Sequence, residues 1–449
     1  MPIRLGGHNH LAGYIHPMNQ PTSSPLLPHQ RKKINFSARW MLIIMCVAAA
    51  VSATTVCLAE PLPGEVFVEH GVRLNKTITD NGTSETLTIP GNLDLANATK
   101  AEVAVEFANV HLGIKGQAII INETEWIPIP FPGTVPAING DQDHIYMMPV
   151  MTVAVPLSSF KNGTNTFRFK LAPKGEQKMS YTQFYGATFR IFYDPLKKAH
   201  PAGKITAPSN GSKLGRSVEL KVETGRSVAK VQYIGQYEDF DHNGDGIYRG
   251  WIYSYRYGQF TNHIGTSITA PFHCTWDTSW IPDSPTPMQI AARLVDPEGV
   301  IYMTETVTNL TFSRGEYSVE LCKPYGVLNG FSTCTYGTPM AIAYTAEVRN
   351  KTEYFEVHGP LASMANARLY FQCWKRASSP KIKLNSTVLD EISVRGGGSQ
   401  IVNLPLSPAT ALTANTNTLV LINATDGGTD VQWPGVQVMI QYNAKPKRN

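Results

Sequence analysis

"DLANATKAEVAVEFANVHLGIKGQAIIINETEW", Asp94 to Trp126, and "PLASMANARLYFQCWKRASSPKIKLNSTVLDE", Pro360 to Glu391, decide the fold when laid side by side. Each has an apolar run alternating with polar residues, then a polar gap, then a second strand ending in a sequon, "IIINET" against "KLNST". The correspondence continues downstream. "VAVPLSSFKNGTNTFRFKL" from Val153 matches "VNLPLSPATALTANTNTLVLI" from Val402, and "GATFRIFYD" from Gly186 matches "GVQVMIQYN" from Gly435. Four correspondences in one order make two copies of one β-module. Short strands of period two, Gly, Asn and Pro turns between them and almost no helical periodicity give an all-β fold of sandwich type.

The late segment "PL…NTNTLVL", a polar turn before a long core strand, resembles that of galactose-binding-like jelly rolls. That resemblance implies two related jelly-roll sandwiches and a bias toward glycan ligands. Between the copies, "KITAPSNGSKLGRSVELKVET" from Lys204 and "IAARLVDPEGVIYMTETVTNLTFSR", ending at Arg314, resemble an immunoglobulin-like module of extracellular bacterial-type proteins. The Cys…Trp…Cys core of antibody domains is missing, so the resemblance implies only the sandwich. The expected organisation is a leader over 1–59, a first jelly roll over 60–203, an immunoglobulin-like module over 204–314 and a second jelly roll over 315–449. "DPLKKAHPAGK", Asp194 to Lys204, serves as a short linker, and modules so joined are expected to lie end to end as a rod. A compact arrangement would instead favour an enzyme with the jelly rolls packed around a cleft.

The formal charge of +5 belongs to the leader, where Arg4, Arg31, Lys32, Lys33 and Arg39 precede the first acidic residue, Glu60. Beyond it, basic and acidic residues balance, which gives no electrostatic footprint for nucleic acid. "RKKINFSARWMLIIMCVAAAVSATTVCLAEP" has the basic cluster, apolar run and small residues of a secretory signal. Its long apolar stretch is also compatible with a retained type II membrane anchor. Either reading places the rest of the chain outside the cytosol. Sequons at Asn75, Asn81, Asn97, Asn122, Asn162, Asn210, Asn309, Asn350, Asn385 and Asn423 exceed the chance expectation and predict a secreted glycoprotein. Cys322 and Cys334 flank "KPYGVLNGFST" and are expected to form a local disulfide, while Cys274 and Cys373 sit in apolar stretches as buried thiols.

No nucleophile elbow, zinc-protease helix motif, Walker loop or dinucleotide fingerprint occurs. Carboxylates such as Glu125, Glu238 and Asp277 could pair in space for glycoside hydrolysis, but nothing in the sequence singles them out. Aromatic residues carry more. Trp251, Tyr253, Tyr255 and Tyr257 in "WIYSYRY" share one parity, so on a straight strand they line one face, either stacking sugar rings or packing as core. Trp126 and Trp433 precede Pro-containing turns and are two further candidate glycan contacts. "DFDHNGDG", Asp239 to Gly246, crowds acidic residues between two strands. Asp239, Asp241, Asn243 and Asp245 are expected to hold Ca²⁺, with Glu238 as substitute for a missing bidentate Glu; a plain Asn-Gly hairpin turn is the alternative. The leading function is a non-catalytic binding or structural glycoprotein whose partner is an extracellular polysaccharide or glycoprotein. The alternative is a secreted polysaccharide-degrading enzyme.

Overall fold

The structure, a computed structural model, describes residues 62–79, 82–109, 116–135, 147–172, 181–225, 228–326, 350–375, 381–389, 398–422 and 429–443. The leader, Asn81, Asn423 and Cys334 lie outside the described residues, and of Asn350 only the backbone is described. The Cys322–Cys334 pairing therefore also falls outside them. Cys274, Cys322 and Cys373 carry thiols. Among the described residues no helix is long and apolar enough to cross a membrane.

Eight strands make the first repeat: β1 (Val66–Thr79), β2 (Leu87–Leu93), β3 (Ala98–Asn109), β4 (Ala118–Ile121), β5 (Trp126–Pro128), β6 (Val150–Val155), β7 (Gly163–Lys170) and β8 (Tyr181–Tyr193). They pair in the orders β1-β8-β3-β6 and β2-β7-β4-β5, the two facing sheets of a β-sandwich. Period-two alternation sends Val103, Val105 and Phe107 of β3 inward to meet Phe167 and Phe169 of β7 and Phe189 of β8. Phe169 stacks on Phe184 at 4.2 Å between ring centres. Each such buried ring contributes on the order of 1.5–3 kcal/mol through removal from water.

The middle module comprises β9 (Gly203–Ala207), β10 (Lys213–Leu214), β11 (Ser217–Thr224), β12 (Lys230–Glu238), β13 (Arg249–Ile252), β14 (Ser254–Arg256), β15 (Gln259–Thr261), β16 (Gly265–Ser267), β17 (Cys274–Asp277), β18 (Met288–Val295), β19 (Val300–Met303) and β20 (Val307–Phe312). Strands β9, β11 and β17 form one sheet; β10, β20, β18 and β12 belong to the other. Leu220, Tyr233, Trp276 and Leu294 fill the space between.

The second repeat has β21 (Ser318–Cys322), β22 (Asn350–Val357), β23 (Met364–Lys375), β24 (Lys381–Leu384), β25 (Thr387–Val388), β26 (Gly398–Pro405), β27 (Asn415–Ile422), β28 (Thr429–Val431) and β29 (Gln437–Tyr442). Its sheets run β21-β29-β23-β26 and β22-β27-β24-β25, strand for strand the order of the first repeat, with β28 added against β23. The internal repeat is thus a repeat of topology as well as of sequence.

The modules do not lie end to end. Val66 to Val68 of β1 pair with Val300 to Tyr302 of β19, so the first repeat and the middle module share one continuous sheet. Residues from Thr55 to Asn449 form one compact unit. The linker Asp194–Lys204 separates the modules in sequence, but β1 already lies beside β8 and offers its other edge. An unpaired edge is satisfied by the nearest strand, here β19.

Two sequon asparagines have a structural task. Asn122 and Asn385, half-buried, occupy equivalent corners with φ of 46° and 53°. Asn122 Nδ2 donates to the Ser159 carbonyl at 2.9 Å and to Asn165 Oδ1, and its Oδ1 accepts Thr166 N–H. Asn385 Nδ2 donates to the Ala411 carbonyl and to Asn417 Oδ1, and its Oδ1 accepts Thr418 N–H. A glycan replaces one of the two Nδ2 hydrogens and would remove one of these donors, and both amides point into the protein. Asn75, Asn97, Asn162, Asn210 and Asn309 are at least partly exposed, and Asn75, Asn162 and Asn210 use only Oδ1 within the protein.

Asn417 is fully buried and bonds Thr413 through both its backbone groups as well as the Asn415 carbonyl. Asn417→Ala is expected to cost about 2–3 kcal/mol by stranding buried polar groups, read as a lower denaturant midpoint. Glycopeptide mapping of secreted protein should find Asn122 and Asn385 bare wherever Asn75, Asn162 or Asn210 carry sugar.

Candidate functional site

The loop between β12 and β13 is organised by one carboxylate. Asp241, 2% exposed, accepts Gly244 N–H at 2.8 Å and Asp245 N–H at 3.2 Å on Oδ1, and Gly246 N–H at 2.7 Å on Oδ2. Converging three amides on one side chain bends the backbone sharply, and Gly246 takes it at φ 77°. Asp245 Oδ1 accepts Ile247 N–H, and its Oδ2 accepts Asn243 Nδ2. Below this, Asp239 N–H donates to the Tyr248 carbonyl and closes the loop.

This geometry shifts the register read from the sequence. Position one of a D-x-[DN]-x-[DN]-G loop is Asp241, with Asn243, Asp245 and Gly246 following. Asp239 stands outside: its carboxylate accepts Phe240 N–H and faces His242 Nε2 at 3.9 Å. Glu238 is engaged by Lys323 of the second repeat at 2.6 Å and does not replace the missing bidentate ligand. Among the described residues no group of three or more His, Cys, Asp or Glu is placed to hold a metal. What the loop brings together is two carboxylates and the Asn243 amide. An ionised carboxylate has roughly four acceptor positions, so those of Asp241 and Asp245 retain capacity for a hard cation beside their amide bonds.

The electrostatics are unfavourable for two bare charges. Burial, with the charge of Asp245 added, pushes the Asp241 carboxyl well above the usual carboxylate range despite its three amides. Burial also raises Asp245. Tyr248 is raised by burial and then by the carboxylates of Asp241 and Glu353. Glu353 is itself fully buried, holding Val436 N–H, and burial raises it too.

All three modules meet at this loop. From the first repeat, Val150 N–H donates to the Asn243 carbonyl at 2.9 Å and Thr134 Oγ1 donates to the Asp245 carbonyl. From the second, Gln437 Oε1 accepts Asp241 N–H at 3.3 Å, and Tyr370 packs its ring 5.6 Å from Phe240. A Cβ on Gly246 would lie 2.8 Å from Trp433 Nε1 and 2.4 Å from Thr134 Oγ1, so glycine is also required by the close approach.

Beside the loop a cleft of about 110 Å³ is lined by Gln236, His242, Asp245, Arg249, Trp251 and Tyr253, among others. Trp251 is half-buried there. The expected aromatic ladder is not formed. Tyr253 N–H bonds the Trp251 carbonyl at 3.1 Å, a tight turn that ends β13 and breaks the parity. Tyr253 and Tyr255 are 5% and 3% exposed and pack with Phe260 as core, so they cannot stack sugars from solvent. Tyr257, at φ 50°, lies against Tyr185 under the guanidiniums of Arg73 and Arg256. Trp126 sits on β5 beneath Lys170, and Trp433 at the three-module junction. Of the six aromatic candidates, the cleft thus gathers Trp251 and the edge of Tyr253. The sequence reading missed His242 and Arg249, for which the only signal was nearness to the loop.

No known protein family matches the sequence, and no characterised protein matches it. Solved structures give partial matches. A beta-porphyranase of glycoside hydrolase family 86 from Bacteroides plebeius is 11% identical over 53% of this chain and 37% of that one, at a TM-score of 0.21. The glycoside hydrolase domain of Endo-D from Streptococcus pneumoniae R6 is 13% identical over 54% and 36%, at 0.20. A beta-1,2-glucanase from Parabacteroides distasonis is 11% identical over 57% and 38%, at 0.17. The chain matches little more than a third of each, and at such TM-scores the likeness establishes neither fold nor activity.

The raised carboxyls give a pH signature. A group that holds its proton more tightly folded than unfolded stabilises the fold fully below its unfolded value and loses that contribution as pH rises through its folded value. In chelator, wild type should therefore lose more stability than Asp245→Asn as pH rises above about 4. The asparagine keeps an acceptor for Ile247 N–H, and Asn243 can turn its amide to suit. Thermal midpoints across that range check this, and parallel curves would contradict it.

Proposed function

We propose that this chain is an extracellular, non-catalytic glycan-binding glycoprotein, with a sugar residue received in the cleft beside Asp245 and Trp251. The observation that carries this reading is a half-buried indole set next to His242, Asp245 and Arg249 in one concavity. An apolar ring face with a few convergent polar groups is the usual make-up of a saccharide site. The cleft contains one carboxylate, Asp245, whereas glycoside hydrolysis ordinarily takes two at about 5–9.5 Å. Kinship of the repeats with galactose-binding-like jelly rolls and of the middle module with immunoglobulin-like domains belongs to the same proposal. So do entry into the secretory pathway through the leader and an extracellular polysaccharide or glycoprotein as partner, with no role for nucleic acid.

Calcium in the loop, on Asp241, Asn243 and Asp245, completes the reading. Two buried carboxylates raised by their surroundings gain most from a divalent counter-charge. Without a bidentate twelfth ligand its affinity belongs to the range of about 10⁻⁴–10⁻³ M seen in extracellular modules. Millimolar Ca²⁺ should raise the thermal midpoint of the whole chain relative to chelator, and Asp241→Ala should abolish the rise; equal midpoints in wild type would reject calcium.

A second reading, a polysaccharide-degrading enzyme, is favoured by two observations. Both repeats reach the loop that carries Asp245, and burial raises the Asp245 carboxyl, as a general acid requires. One panel separates the two. Binding to immobilised polysaccharides, weakened about tenfold by Trp251→Ala and without release of reducing ends, supports the binding protein. Reducing ends released by wild type and lost in Asp245→Asn would establish the enzyme instead.

A further inference from the structure

A second cleft, of about 370 Å³, opens where the shared sheet meets the β14–β15 hairpin. Its wall is built from three parts of the chain: Glu69 of β1 and Thr188 of β8, Lys230 and Gln232 of β12, and Arg293 of β18, with Gln259 and Phe260 of the hairpin as its rim. The hairpin reaches this position because Gly71 and Gly258 meet backbone to backbone; a Cβ on Gly71 would lie 1.8 Å from the Gly258 carbonyl oxygen.

The groups on this wall are oriented and incompletely used. Arg293, 3% exposed, pairs with Glu69 through Nη2 and lies 3.6 Å over the Phe260 ring, which fixes the guanidinium plane. Its Nε has no partner. Thr188, 1% exposed, has an unpartnered Oγ1. Glu69 is opposed by burial but held ionised, below its ordinary range, by Arg293 and Arg190 and by the Tyr255 hydroxyl. On the lining, Lys230 and Arg293 therefore outnumber the one anion, Glu69. Gln232, Gln259 and Thr188 supply neutral donors and acceptors around them. A buried arginine with a free N–H beside a lysine calls for an anion, and uncharged hydrogen-bonding groups in a space of this size call for hydroxyls on the same molecule.

We propose that this cleft binds an acidic sugar, a uronate residue, with its carboxylate on Lys230 beside the Arg293 guanidinium and its hydroxyls on Gln232 and Gln259. The site is separate from the Trp251 cleft in its lining residues and does not rest on the reading of that cleft.

The test titrates the full chain with glucuronate and galacturonate, with glucose and galactose as neutral counterparts and acetate as a carboxylate without hydroxyls, by calorimetry at low salt. Either uronate should bind more tightly than its neutral sugar and than acetate, and added salt should weaken the binding. Lys230→Ala and Gln232→Ala should each weaken it by about tenfold or more, one charge-assisted or buried hydrogen bond being lost. Lys204→Ala, which removes an exposed lysine paired with Glu223 on another sheet, should leave it unchanged. Thermal midpoints of the variants confirm that they fold. Equal binding of neutral sugars, binding of acetate as tight as that of the uronates, no binding at all, or undiminished uronate binding by folded Lys230→Ala would each overturn the proposal.

Discussion

The arrangement of the three modules depends on the carboxylate of Asp241. By drawing in three consecutive amides it gives the loop the one conformation in which the Asn243 carbonyl meets Val150, the Asp245 carbonyl meets Thr134 and the Asp241 amide meets Gln437. Those contacts join parts of the chain far apart in sequence. Without the carboxylate the three amides would be left without partners in a buried place, at about 1–3 kcal/mol each. The loop would reopen toward water, and the cleft beside it would lose Asp245 and His242 from its wall.

The second seam works by a different principle. Glu102 and Glu106 project from β3 on the face away from the core, where an alternating strand should meet solvent. The β14–β15 hairpin covers them, and Arg190 and Arg256 answer their charge at 2.7 Å and 3.0 Å. Burial nevertheless raises both carboxyls, so the pairing offsets the desolvation only in part. Buried ion pairs of this kind add little net stability and are costly to break singly, which makes them better at fixing one orientation than at strengthening the fold.

What was legible in the sequence follows the range of the forces involved. Alternation in "AEVAVEFAN" and "ARLYFQCW" is a local consequence of sheet geometry, and it located the strands and the repeat. The β1–β19 splice leaves no local mark, because either edge of β1 looks the same in one dimension. The parity of Trp251, Tyr253, Tyr255 and Tyr257 left sugar stacking and core open; Tyr253 and Tyr255 take the core, and one backbone bond from Tyr253 to Trp251 breaks the single face. At Asn122 and Asn385 the sequon has a second physical reading: an asparagine at positive φ that bonds across a corner of the sandwich, followed by hydroxyl residues, also spells one. The acidic segment lies in the loop between β12 and β13, where the sequence placed it; Asp239 and Asp241 are equivalent in spacing and differ only in which amides they face.

The two repeats turn equivalent faces toward the middle module, and they differ in how those faces are made polar. In the first, outward positions of β3 and β8 carry Glu102, Glu106 and Arg190; in the second, the matching positions of β23 and β29 carry Arg368, Tyr370, Gln372, Gln437 and Gln441. Gln441 donates to the Ser279 carbonyl at 2.8 Å, Arg368 lies 4.3 Å over Trp280, and Gln372 reaches across to the Met148 carbonyl. Neutral amides lose less on leaving water than ions do, so the amide contacts need no counter-charge, whereas Glu102 and Glu106 need their arginines in place. The matching faces thus carry ion-paired carboxylates in the first repeat and mainly amides in the second. Unpartnered donors remain at both seams, Arg293 Nε at the first and Gln437 Nε2 at the second, so neither interface uses all the hydrogen bonds its groups can make.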